Sequence, residues 1–367
     1  MKFKTYVVSF LLIGVLTDLF FCLTLMKAAP LAWKVIVCIP TLAVGVCLTF
    51  VGLGKHYTDS MRVMSYIIFI FSLPKTLMLL CGLFLPPAAA IAIGAADSLF
   101  FIIFIFFVSR HLVVKHTELS FERLPESAIG LKICHIADFH LGSFGRMSPY
   151  IQRIVESINA QNPDVILFSG DLVNFESKEA LPYEKTLKAL KAAVYSCMGN
   201  HDFLLHGPHD GKEDSRKEDM ARLEAFENSL GWTVLRNRNI ELRPGISLIG
   251  VDNITKNPYF QKVGGNLKKA MEGIIPQNLK ILLSHDPTHW RMEVVPDTDI
   301  DLTLSGHTHG LKYKMAGHRP SHWRLHESGG IYREGSQVLN VTLGLGSAFA
   351  FRLGGFPHID MITLTKT

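Results

Sequence analysis

The chain has 367 residues, of which 48% are hydrophobic and 19% charged, with a formal net charge of +5. That length leaves room for an ample core and more than one domain, and no basic–aromatic platform points to nucleic acid as a partner. The six cysteines show no paired spacing, which argues against a disulfide framework and against cysteine-based zinc or redox chemistry.

Charge is unevenly spread, being concentrated after residue 110. Before that point four apolar stretches follow one another, at about 5–26, 31–53, 64–85 and 88–109. Each is near the ~20 residues that cross a ~30 Å hydrocarbon core. Four in series do not read as a cleavable signal, and their scarcity of charge argues against core helices of a soluble protein. The expectation is an all-α four-helix transmembrane bundle over 1–110, with tight turns at Lys27–Pro30 and Pro86–Pro87 and a loop at Lys55–Arg62. Lys2, Lys4, Lys55, Arg62, Arg110 and Lys115 flank one side, and only Lys27 and Lys34 the other. The positive-inside rule then places the N-terminus and the downstream domain in the cytoplasm, as a multi-pass protein of the inner (cytoplasmic) membrane. Asp18, Lys75 and Asp97 fall near mid-membrane, where a charge is costly unless paired. Lys75 is expected to meet Asp18, Asp97 or both.

Residues 111–129 read as a polar juxtamembrane linker. From 130 to 367 apolar strand-like runs alternate with helical spacing, the pattern of an α/β domain. Strands are expected at Leu131–Ile136, Val165–Phe168, Ala193–Met198, Trp232–Leu235, Ile246–Val251, Ile281–Leu283 and Leu302–Leu304. Helices are expected at Pro149–Ala160, Tyr183–Lys191, Glu213–Leu230 and Leu267–Met271. The domain is expected to pack two mixed sheets face to face with helices outside, four layers in all.

Five of these strands end in short polar motifs: Asp138-Phe139-His140, Gly170-Asp171, Gly199-Asn200-His201-Asp202, Ser284-His285 and Gly306-His307-Thr308-His309. Any one alone is weak, since a histidine after a strand is usually an ordinary loop residue; the ordered set carries the signal. Side chains alternate along an extended chain, so Asp138 and His140 are expected to point the same way, and His307 and His309 likewise. Open α/β sheets gather ligands at the carboxyl ends of their strands. Two carboxylates, one amide oxygen and four imidazoles suit Mn, Fe or Zn better than Ca or Mg. Seven residues for two ions require a bridge, and Asp171 at the centre is the natural one.

These strings resemble the calcineurin-like metallophosphoesterase superfamily, in particular its membrane-associated bacterial branch, over roughly Leu131 to Leu364. The resemblance implies one divalent ion on Asp138, His140, Asp171 and His309, and a second on Asp171, Asn200, His285 and His307. It implies that His201 is a non-ligand beside the substrate phosphate and that Asp202 is the acid orienting it. The chain departs from the pattern at Gly310-Leu311-Lys312, where relatives often carry Gly-Gly-Gln, and in a histidine-rich stretch at 317–330. Arg146 and His206 are candidate phosphate contacts. The last stretch, with His318, His322, Trp323, Arg324 and His326, is a candidate substrate rim.

The reading is a membrane-anchored phosphoesterase with two divalent transition-metal ions (Mn, Fe or Zn). Its expected substrate is a phosphodiester or pyrophosphate on a small molecule or lipid, a UDP-sugar lipid being one fit. A catalytically inactive or regulatory membrane signalling protein and a phosphoprotein or cyclic-nucleotide phosphatase are the alternatives.

Overall fold

The computed structural model describes residues 14–205, 207–209, 211–257, 263–309, 326–348 and 355–367. The chain folds as two compact units that divide after Val108.

In the first unit the described residues form α1 (Gly14–Leu23), α2 (Leu31–Gly52), α3 (Tyr57–Gly82) and α4 (Pro87–Phe106). Three of them, α2 to α4, are long and apolar enough to cross a membrane. Four spans were expected; the described part of the first is shorter, and its beginning lies outside the described residues. The third helix also starts earlier than hydropathy suggested. Tyr57–Arg62, expected in a loop, is helical, and Arg62 pairs with Asp59 one turn back at 2.6 Å, which adds about 0.2–0.5 kcal/mol to that first turn. Ile68–Ser72 is a single π-helical turn ahead of Pro74, which lacks the N–H that regular winding would use. Lys75 donates to the Asp18 carboxylate and, at 3.2 Å, to the carbonyl of Val37, tying α3 to α1 and α2. Asp97 is not in that cluster, and its Oδ2 is buried without a hydrogen bond among the described residues.

The second unit begins with β1 (Val113–Phe121), inside the stretch expected to be a linker. It is an edge strand with a polar middle, Lys115-His116-Thr117-Glu118, and it pairs in parallel with β12 (His358–Lys366) at the far end of the chain. Between them lie β2 (Lys132–Ile136), α5 (Pro149–Ala160), β3 (Val165–Phe168), α6 (Glu184–Leu187), β4 (Ala193–Ser196), α7 (Glu213–Ser229) and β5 (Thr233–Val234). Then come β6 (Arg238–Arg243), β7 (Ile246–Gly250), α8 (Leu267–Ala270), β8 (Leu279–Leu283), β9 (Leu302–Ser305), β10 (Gly330–Glu334) and β11 (Gln337–Val341). The sheets run β1-β12-β2-β3-β4-β5 and β10-β11-β9-β8-β7-β6, each mixing parallel and antiparallel neighbours.

Side-chain alternation builds the layers. Ile133 and Leu167 face the second sheet and pack with Ile281, Leu283, Leu302, Leu304 and Val338. Cys134, Ile136, Ile166 and Phe168 point the other way, onto Ile151, Ile154 and Ile158 of α5 and Leu223 and Phe226 of α7. Behind the second sheet, Ile249, Leu282 and Leu339 are covered by Trp290, Val294 and Leu267. With both faces buried, β3 and β8 carry no polar alternation apart from Lys280, whose ammonium reaches Asp299 at 2.8 Å. Helix α5 starts where Pro149 follows Ser148, whose hydroxyl accepts from the N–H of Tyr150 at 3.3 Å.

Register also fixes where the chain enters this unit. Val113 pairs with His358, and β12 runs antiparallel to β2, with Asp360 opposite His135. The first residue of β1 therefore lies level with the carboxyl end of β2, where Asp138 stands.

Candidate metal centre

All the motif residues described stand just beyond the carboxyl ends of β2, β3, β4, β8 and β9. Strand alternation is not what aims them. Asp138, His140, Asp171, His307 and His309 have φ of 54°, 47°, 63°, 68° and 44°, left-handed values that non-glycine residues rarely adopt. Each such residue costs on the order of 1–3 kcal/mol and persists only where its surroundings over-determine it. They do so here. The N–H of Asp138 donates to the carbonyl of Gly170 at 2.9 Å, and that of His140 to the carbonyl of Asp171 at 3.1 Å. The N–H of His201 donates to Asp171 Oδ1 at 2.8 Å, and that of His307 to Asp138 Oδ2 at 3.1 Å. Gly170 and Gly199 let the ends of β3 and β4 close on one another. A Cβ on Gly170 would stand on the backbone of Gly199, and one on Gly199 would stand on the Asp171 carboxylate.

Two groups of donor atoms result. Asp138, His140, Asp171 and His309 each bring one atom into a cluster whose members all lie within 4.8 Å of one another, and Asp171, His285 and His307 form a second. Asp171 belongs to both. Its Oδ2 lies 3.4 Å from His140 Nε2 and 3.1 Å from His285 Nε2. Asn200 Oδ1 joins the second group, 3.2 Å from His285 Nε2 and 2.7 Å from His307 Nδ1. The side chains of Asp138, His140, Asp171 and His285 are fully buried.

Tautomers decide what these atoms can do. His140 Nδ1 lies 2.7 Å from Asn174 Oδ1, and the Asn174 amide nitrogen donates to Ser143 Oγ at 2.9 Å, so the oxygen faces the imidazole. His140 therefore carries its proton on Nδ1 and shows a bare Nε2 to His309 Nε2, 3.1 Å away. His285 Nδ1 donates to the carbonyl of Ser169 at 2.8 Å, which leaves its Nε2 against Asp171 and Asn200. Burial pushes the His140 imidazole down to about 3 despite Asp171, so it stays neutral. Burial opposes charge on His285 too, yet the Asp171 carboxylate lifts it to about 10. The pocket thus calls for positive charge beside Asp171, from an imidazolium or a cation. Imidazole nitrogens and carboxylate oxygens converging in each group fit divalent metal ions, and the mixed N/O donors fit a transition metal.

The supporting residues were not all legible in the sequence. Asn174 lies in none of the five motifs, yet its side chain holds His140 and its carbonyl accepts from His201 Nδ1 at 2.9 Å. Asp286 stands behind His307, 3.6 Å from its Nε2, and is itself held by the Thr255 hydroxyl at 2.5 Å and the Thr288 N–H at 2.8 Å. Asp202 was expected to orient His201. Its carboxylate instead accepts backbone N–H groups of Asp171, Leu172 and Gly199 at 2.7, 2.9 and 2.9 Å, bracing the turn that carries Asp171. Burial and then Asp171 push it up to about 7, against those N–H donors. The His201 ring lies edge-on to His140 with centroids 4.8 Å apart, beside the first donor group. Arg146 is exposed on the loop after β2. His206 lies outside the described residues, as do His318, His322, Trp323 and Arg324.

Residues 131–311 match the family model for calcineurin-like phosphoesterases. The chain is 31% identical over 206 residues to a zebrafish (Danio rerio) protein named as a transmembrane protein with metallophosphoesterase domain, covering 53% of this chain and 44% of that one. It is 29% identical over 254 residues to phosphodiesterase YaeI of Escherichia coli, covering 65% and 84%. It is 27% identical over 261 residues to the metallophosphoesterase YkuE of Bacillus subtilis, covering 66% and 82%. The chain thus spans less than half the length of the vertebrate relative and most of the two bacterial ones. With that match laid over the five strand ends that bring the donors together, the second unit carries a calcineurin-like metallophosphoesterase domain.

Proposed function

We propose that this chain is a membrane-anchored phosphoesterase working with two divalent transition-metal ions, Mn, Fe or Zn. Asp138, His140, Asp171 and His309 would hold one, and Asp171, Asn200, His285 and His307 the other. The observation that carries the reading is the sharing of Asp171 between two donor groups, into which His140 and His285 each turn Nε2 because Nδ1 is held from outside. Ions held there would supply positive charge for a phosphate and would acidify water close to neutral pH. His201, whose Nδ1 donates to the Asn174 carbonyl, would as an imidazolium donate from Nε2 to the departing oxygen. Proton transfer of that kind contributes roughly 10²–10⁴-fold. Asn174 and Asp286 would set the orientation of His140, His201 and His307, and Asp202 the turn of Asp171.

Residues 1–110 are the proposed membrane domain of four spans, with residues 130–367 as the catalytic domain facing the cytoplasm. The apolar α2, α3 and α4 and the transmembrane relative support anchoring. The substrate we favour is a lipid-linked or nucleotide-linked phosphodiester or pyrophosphate at the bilayer surface. Its support is that the apolar helices α2 to α4 are carried on the same chain as the donor groups.

The test is hydrolysis by the detergent-purified full chain of bis(p-nitrophenyl) phosphate and of nucleotide-linked lipids. Activity should vanish with chelator and return with Mn. A protein that binds two ions and cleaves none of these esters would reject the reading. A reporter active only in the cytoplasm, fused after Thr367, should work; one active only after export should not.

A further inference from the structure

One layer below the donor groups, the space between the two sheets turns from apolar to polar. On β2, Ile133 points into the inter-sheet core, and two residues later His135 takes the same face. Ser169 stands two residues after Leu167, and Asn340 two residues after Val338 on β11. His135 and Ser169 are fully buried and Asn340 nearly so.

These residues form a chain of hydrogen bonds whose directions are determined. The Asn340 amide nitrogen only donates, and it lies 2.8 Å from His135 Nδ1. His135 Nδ1 is therefore the acceptor and Nε2 carries the proton, which is donated to Ser169 Oγ at 3.0 Å. The main-chain carbonyl of the same Ser169 accepts the Nδ1 proton of His285 at 2.8 Å. The line runs from β11 in one sheet, through β2 and the end of β3 in the other, and back to the end of β8 in the first. Its last member turns Nε2 toward Asp171 and Asn200.

We propose that His135 is a positioning residue for the second donor group. Held by Asn340, it fixes Ser169, and the Ser169 carbonyl fixes the tautomer and ring plane of His285. An aliphatic residue at 135 would fill the space but leave the Asn340 amide and the Ser169 hydroxyl unsatisfied, and the turn beyond β3 would shift to find partners. Outer partners of metal-binding histidines of this kind typically change metal affinity 10–100-fold. The inference rests on the metal-centre reading above.

The discriminating pair is His135→Leu and His135→Gln in the full-length, detergent-purified protein, titrated with Mn after removal of bound metal. Glutamine can accept from Asn340 through Oε1 and donate to Ser169 through Nε2, so it reproduces both bonds. His135→Leu should weaken one of the two binding events 10–100-fold and leave the other within about threefold. His135→Gln should keep both near wild type. Turnover of a soluble diester by His135→Leu should recover when Mn is raised by the same factor. Asn340→Leu, which leaves the histidine in place, should act in the same direction and serves if His135→Leu does not fold. Two wild-type binding events in His135→Leu, or equal weakening of both events in both position-135 variants, would overturn the positioning role. Wild-type protein that binds no Mn would instead reject the metal centre itself.

Discussion

Asn174 holds His140 and His201 at once, the first through its side-chain oxygen at 2.7 Å and the second through its main-chain carbonyl at 2.9 Å. Both oxygens can only accept, so both imidazoles carry their proton on Nδ1 and turn Nε2 away from Asn174. One residue thereby sets the tautomer of a proposed metal ligand and of the proposed proton donor. Asn174→Ala should lower affinity at the first donor group by roughly 10–100-fold. Asn174→Asp, which keeps both acceptors but loses the bond to Ser143, should lose less. Metal titration of the two variants checks the order, and equal losses would sink the idea.

Because Asp171 is shared, Asp171→Asn should weaken both binding events, while His140→Ala should mainly empty the first. Elemental analysis of metal-supplemented protein reads the difference. If Asp171→Asn loses a single ion, the bridge is wrong.

His201 belongs to neither donor group, so His201→Ala should keep its metal content. Its turnover should drop roughly 10²–10⁴-fold on an ester with a poor leaving group, and by much less on a nitrophenyl ester that needs no proton. The same loss on both substrates would leave His201 as a phosphate contact only.

Glu227 gives a pH dependence away from the donor groups. Burial, and then the nearby Asp202, push its carboxyl up to about 8, against the hydrogen bond donated by Ser196 at 2.5 Å. The folded state therefore keeps a proton that the unfolded chain releases near 4.5. The stability Glu227 contributes is complete below about 4.5 and is lost as pH rises through about 8. Glu227→Gln stays neutral throughout, so its melting temperature should rise relative to wild type between pH 6 and 9. Melting curves of the metal-saturated proteins that stay parallel over that range would falsify the assignment.

Several features were legible from local pattern alone. Val165–Phe168 and Pro149–Ala160 appear where expected, because a buried central strand and an amphipathic helix after a Ser-Pro start are written in neighbouring residues. The donor residues were legible for the same reason, each lying within a few positions of a strand end. Strand alternation, expected to aim them, does not. Left-handed turns at Asp138, His140 and Asp171 bring them together, and the conformation that accommodates those turns depends on glycines and N–H donors from other strands.

What only the tertiary structure decided depends on partners far apart in the chain. β1 read as a linker because half of its residues are polar; it is a strand because β12 offers it an edge, and Ser120 meets Thr365 across 245 positions at 2.8 Å. Lys75 had two candidate partners at similar depth, and the packing of α1, α2 and α3 selected Asp18. Asn174, Ser169 and Asp286 carry no motif that marks them, since any carbonyl or carboxylate can fix an imidazole and folding alone determines which one lies within 3 to 4 Å. The identity of the donor residues and the central place of Asp171 were thus properties of the sequence, while the tautomers and the supports came from the closure of two sheets over one polar layer.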